Sequence, residues 1–94
     1  MSSCKIISKN YIATSDDYYI GVNSKKAVTV TLPSDPLEFQ QIIIKVETAR
    51  PLGHRTVTVV AKAPSSIDGE ELYKLMVAYK SVSLIYHDGH WYSI

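Results

Sequence analysis

Between residues 27 and 32 the side chains alternate without interruption, with Val28, Val30 and Leu32 on one side and Thr29 and Thr31 on the other. A period of two marks a strand with one buried face. Short runs of the same kind recur at 5–8, 11–14, 18–22, 40–47, 56–61, 81–86 and 91–94. Polar or proline-containing breaks separate them: Ser15, Asp16 and Asp17; residues 23–26; residues 33–36; a loop at 50–55 around Pro51 and Gly53; and residues 64–66. The pattern predicts an all-β chain of many short strands.

Two features complicate simple alternation. Ile42, Ile43 and Ile44 are consecutive, as are Val59 and Val60, so apolar groups stand on both faces of those strands. A lone small sandwich leaves one face of each sheet wet, and a second apolar face calls for a partner. Residues 70–80 fit two periods. Leu72, Leu75, Met76 and Tyr79 recur at helical spacing, while Tyr73, Leu75, Val77 and Tyr79 alternate as in a strand. The β character of the neighbouring segments favours the extended reading, although Glu, Leu, Lys, Met and Ala are good helix formers. Near the end, Asp88 and Gly89 stand between two alternating runs and predict a tight two-residue hairpin turn.

Ninety-four residues hold one hydrophobic core, and a domain this short gains much from pairing with copies of itself. Ten basic and nine acidic side chains give a net charge of +1. The densest basic run is Lys25 with Lys26, which reads as a solvated turn and not as a nucleic-acid footprint. Cys4 is the only cysteine, so neither an intrachain disulfide nor a cysteine-based zinc cluster is available. No apolar run is long enough for a membrane span, and residues 1–10 lack the apolar centre of a signal peptide; they read as a leader or as a link to an upstream shaft. No nucleic-acid partner and no membrane insertion is expected.

Candidate chemistry is sparse. His87 and His90 flank the predicted hairpin turn with Asp88 between them, but no third metal ligand is dictated, so hydrogen-bonding histidines are the preferred reading. Asp68, Glu70 and Glu71 cluster around Gly69 in a turn, where solvation explains them without an acid–base pair. No GxSxG elbow or glycine-rich phosphate loop occurs, and the chain reads as non-catalytic, with no cofactor. Aromatic side chains are the remaining asset. Tyr18, Tyr19, Tyr79, Tyr86, Trp91 and Tyr92 offer faces that stack on sugar rings, and Tyr18, Tyr19, Tyr79 and Trp91 are the candidate ligand-facing residues. Trp91 is expected to be chiefly structural, packed against the sheet.

The order of these pieces carries a resemblance: YIATSDDYYIGVN, AVTVTLPS, QQIIIKVE, TVTVVA, SSIDGEELY and YKSVSLIYHDGHWYSI. From residue 11 to residue 94 it resembles a short domain of trimeric bacteriophage tail fibres and tail spikes and of other viral fibre or capsid-associated proteins. Its sharpest elements are Asp17 with Ile20 and Val22, residues 28–33, Ile44 with Lys45, Ile67 with Asp68 and Gly69, Val82 with Leu84, and Gly89, Trp91 and Ile94. After the Ile44–Lys45 pair the chain departs from the family's acidic, glycine-rich turn, with Val46, Glu47, Thr48, Ala49, Arg50 and Pro51 in its place. The resemblance implies a small antiparallel β-sandwich or β-prism-like domain that forms a homotrimer, located in the virion and serving as a structural or attachment module. Val28, Val30, Leu32, Ile42, Ile43, Ile44, Val59 and Val60 are the candidate oligomer interface. Other virion proteins and a host-surface glycan are the further partners expected, and a carbohydrate-binding domain is the alternative function.

Overall fold

The computed structural model describes residues 3–48 and 56–94. The strands are β1 (Ser3–Ile7), β2 (Tyr11–Ile12), β3 (Asp17–Val22), β4 (Val28–Thr31), β5 (Gln41–Val46), β6 (Val57–Val60), β7 (Leu72–Leu75), β8 (Ser81–His87) and β9 (His90–Ser93). No helix occurs among the described residues, and the ambiguous stretch 70–80 is extended over β7. The loop expected at 50–55 lies outside the described residues.

Two sheets face each other. The larger runs β1-β3-β5-β8-β9 and the smaller β2-β4-β6-β7. From β1 to β6 the chain alternates between them, because the breaks after β1, β2, β3 and β4 lack a two-residue hairpin dipeptide and carry the chain across to the opposite sheet. Strands that return to a sheet in this way run parallel. Pairs β1–β3, β3–β5, β2–β4 and β4–β6 are accordingly parallel, while β5–β8, β6–β7 and β8–β9 are antiparallel. This corrects the expected antiparallel sandwich: the domain is all-β, but both sheets are mixed, and its first six strands wind as stacked two-sheet rungs.

The core fills the space between the sheets. Ile20, Val22, Ile42, Ile44, Val46, Val82, Leu84 and Trp91 project from the larger sheet, and Val28, Val30, Val57, Val59 and Leu75 from the smaller, all buried. Strict alternation at 28–31 thus delivers valines inward and threonines outward. Trp91 has no exposed surface and tilts against Tyr86, with ring centroids 5.2 Å apart.

Two Asp-Gly pairs make tight turns. Asp88 and Gly89 both have positive φ, 52° and 86°, and close the β8–β9 hairpin with His87 opposite His90. Asp68 and Gly69 do the same, at 50° and 85°, bringing Ile67 and Glu70 into mutual hydrogen bonds. The sequence pattern predicts the first turn. The second lies where the sequence places the acidic cluster around Gly69 in a turn, and it docks on β9 through Asp68 N–H to Trp91 O and through Asp68 carboxylate bonds from Ser93.

The outer rung is tied down by one buried charge. Asp17 accepts hydrogen bonds from Ser3 Oγ at 2.9 Å, Tyr11 Oη at 2.7 Å and Thr14 N–H at 2.9 Å. Lys5 Nζ lies 3.2 Å from Asp17 Oδ1, the oxygen that Ser3 also bonds, and donates to Tyr11 Oη at 2.6 Å. Residues 1–10 were read as a leader or shaft link; residues 3–7 form the edge strand of the larger sheet, held at this network. Burial pushes the Asp17 carboxyl up, but the bonds from Tyr11, Thr14, Ser3 and Lys5 outweigh it and hold the group below its ordinary value of 3.8.

A carboxyl depressed in the folded state stabilises the fold above its ordinary value, and that contribution disappears as pH falls through the folded value. Thermal melts from about pH 7 down to about pH 2 should therefore show an acid-side loss of stability, and Asp17→Asn should flatten it while lowering stability at neutral pH by roughly 1–3 kcal/mol. An unchanged acid limb in the variant would contradict the network. Gly89→Val should cost about 1–3 kcal/mol, all of it from the backbone, since a Cβ at Gly89 meets nothing within 4 Å. A calorimetric melting temperature equal to that of the parent would oppose it.

Candidate functional site

Outward-facing residues of the larger sheet follow from the register. Tyr19 stands beside Ile43, Ile43 beside Ser83, Gln41 beside Ile85, and Ile85 beside Tyr92. Ile94 continues β9 through its N–H bond to Ser83 O. Ile6 flanks Gly21 at the other edge. The outer face thus sets isoleucines and tyrosines among Gln41, Lys45, Ser81 and Ser83, and Ile6 and Ile94 are 60% and 70% exposed. The smaller sheet differs: its outer face carries Thr29, Thr31, Thr58 and Lys74 along with Ile12, Val60 and Leu72.

This geometry divides the expected interface residues. Val28, Val30, Leu32, Ile42, Ile44 and Val59 are buried against this chain's own core, so a contact through them would require that core to open. Ile43 and Val60 are half-buried and point outward, from the larger and smaller sheets respectively. The consecutive isoleucines and valines do supply apolar groups to both faces, but one of those faces is filled by the opposite sheet of the same molecule.

The ligand-facing candidates also separate. Trp91 is in the core. Tyr19 is half-buried, and its hydroxyl donates to Glu47, whose carboxylate lies over Gly21. A Cβ at position 21 would come within 2.5 Å of that carboxylate, so glycine is what admits it. Burial first, and then the Glu47 carboxylate, push the Tyr19 phenol up to about 12. Tyr79 is exposed in the β7–β8 loop, at φ 60°, with its carbonyl accepting from Lys45 Nζ at 2.9 Å. Tyr18 is exposed at the start of β3, the opposite end of the sheet. The structure does not bring Tyr18, Tyr19, Tyr79 and Trp91 together.

Tyr18 instead meets a segment that the pattern did not single out. It lines an open groove of about 390 Å³ with Asp16, Leu37, Glu38, Phe39 and Gln40 among the lining residues. Phe39 has φ 64° and is 60% exposed, stacked on His87 with centroids 5.0 Å apart and planes 10° from parallel. His87 Nδ1 lies 2.7 Å from Glu38 Oε2, and Asp88 N–H points at the same carboxylate. Gln40 joins the two walls, its Nε2 donating to Thr14 O at 3.2 Å and Asp17 O at 3.1 Å. A signal for this site was present: the chain's only phenylalanine sits among proline, aspartate, glutamate and glutamine, outside any alternating run.

The histidine pair is divided between partners, His87 with Glu38 and His90 Nδ1 with Ser66 Oγ at 3.0 Å. No group of three or more His, Cys, Asp or Glu side chains suited to a metal occurs among the described residues. Asp68 is engaged by Ser93, and Cys4 is exposed on the edge strand. No helix among the described residues is long and apolar enough to cross a membrane. No model of a known protein family matches this chain, and no curated protein matches it.

Replacing Glu47 with glutamine removes the charge that favours the protonated phenol, so Tyr19 should ionise below its value of about 12. Titration of the tyrosine ring resonances checks this; an unmoved Tyr19 would show that burial alone sets its ionisation.

Proposed function

We propose that this chain is a non-catalytic structural and attachment module of a virion, of the fibre or tail type, acting through assembly into a homotrimer. The observation that carries the assembly is the outer face of the larger sheet. The core between the sheets is filled within one chain, yet the outer face also carries apolar side chains, Ile6, Tyr92 and Ile94 exposed and Ile43 and Ile85 half-buried. Contiguous apolar surface of that kind is the usual mark of an interaction site. Copies related by a closed rotation would cover it and leave no residual sticky edge. The virion setting is supported by the ordered resemblance of residues 11–94 to fibre domains. A carbohydrate-binding domain is the second reading, favoured by the aromatic groove at Tyr18 and Phe39.

Light scattering with sedimentation should give the mass of three chains for the parent protein. Ile43→Asp places a charge on the proposed interface and should yield a folded monomer, because burying unpaired like charges opposes association. Val60→Asp, on the smaller sheet, should leave the trimer intact, whereas Val30→Asp should unfold the chain whatever its assembly state. A folded parent monomer across micromolar to millimolar concentration would end the trimer reading.

A further inference from the structure

We infer that the groove between residues 15–18 and 37–41 is a binding site for a neutral saccharide. The inference rests on the attachment reading and gives it a place and a ligand class.

Phe39 is the starting point. A bulky residue at φ 64° occupies a sparsely populated backbone region, and such strain persists only where the surroundings impose it. Here they do: Phe39 N–H donates to Tyr86 O at 2.7 Å, and Gln40 N–H donates to Leu37 O at 2.9 Å in the adjoining turn. The strained backbone does not bury the ring. It holds the ring in the open, one face resting on His87 and more than half of its surface in solvent. Tyr18 and Leu37 add exposed apolar surface along the same groove.

The polar groups define what fits against those surfaces. Asp16 and Glu38 are the acidic side chains of the lining outside the Asp17 network, Glu38 with one side turned to His87, and the lining contains no lysine or arginine. Carboxylates accept hydrogen bonds from hydroxyl groups, while aromatic planes suit the C–H faces of a sugar ring. A lining with acidic side chains and no lysine or arginine disfavours sialylated or sulfated sugars. Glu38 is already paired with His87 and bonded by Asp88 N–H, which lessens the pull on a cationic peptide. The tether through Gln40 keeps both walls in place before a ligand arrives, so little ordering is spent on binding.

The protein contains a single phenylalanine, which gives the test a unique reporter. Lactose, maltotriose and triacetylchitotriose should be titrated to about 20 mM, a range that captures the weak affinity of a shallow site, while Phe39 and Tyr18 ring resonances are followed. At least one is expected to shift both rings with saturation. Phe39→Gly relieves the positive φ, so this variant should melt no lower than the parent by much while losing at least about tenfold in affinity. Tyr18→Ala provides an independent loss from the other wall.

No shift at Phe39 with any neutral saccharide overturns the inference. So does undiminished binding by Phe39→Gly, or tighter binding of sialyllactose, a heparin hexasaccharide or an arginine-rich peptide. Mass measured on the same samples separates this result from assembly. Binding that depends on Phe39 in a monomeric parent would sink the trimer and keep the groove; a trimer that ignores every saccharide would do the reverse. A Phe39→Gly variant that loses its trimer would assign the ring to the subunit interface instead.

Discussion

Edge strands of a small sheet are short of apolar contacts, and β1 and β2 have little to hold them beyond their ladders. What secures them is Asp17, whose carboxylate gathers Ser3 and Lys5 from β1, Tyr11 from β2 and Thr14 from the corner before β3. A buried carboxylate is costly unless its oxygens are satisfied, and here each has at least two partners, so geometry and charge pull together. The position of that network sets the start of β3, which sets the register of β5 on one side and β1 on the other. Everything between the sheets then follows from alternation. The same aspartate also bonds through its carbonyl to Gln40, so the corner that secures the first rung fixes one wall of the groove.

Local patterns made much of the fold legible. Valines and threonines at 28–31, the isoleucines of β5, the Asp88–Gly89 turn and the terminal tryptophan all lie where period and turn chemistry place them. The direction of pairing was not legible, because a period of two is the same for parallel and antiparallel neighbours; only the length and residue types of the connections bear on it. At Gly69 the sequence showed a turn but not its tight two-residue form, because Ile67 and Glu70 are flanked by no alternating runs, the context that makes the dipeptide decisive at Asp88. The interface candidates divided for a related reason. Sequence shows that both faces of β5 are apolar, but not that the other sheet of the same chain claims one of them.

The candidate site was readable only in part. Tyr18 belongs to an alternating run and drew attention as an aromatic. Phe39 belongs to none, and its exposure depends on a positive φ set by contacts from β8, far along the chain. His87 was weighed as a metal ligand from its place beside the turn, whereas its neighbours in space are a carboxylate and a phenyl ring from the 37–40 segment. Long-range pairing decides such roles, and no local window contains it.

Lys5 gives the molecule a direction. Its position on β1 matches Ile20 on β3, so its stem lies on the inner side of the outermost rung, and its ammonium reaches back to Asp17 and Tyr11. A further copy stacking end to end on β1 would have to drag that ammonium out of water and into the continued core, a barrier of the kind that natural edge strands use against runaway pairing. The β1 edge is thereby guarded against addition of a further strand. The outermost strand thus carries its own stop signal, a single charge that serves the fold from within and repels strand addition from without.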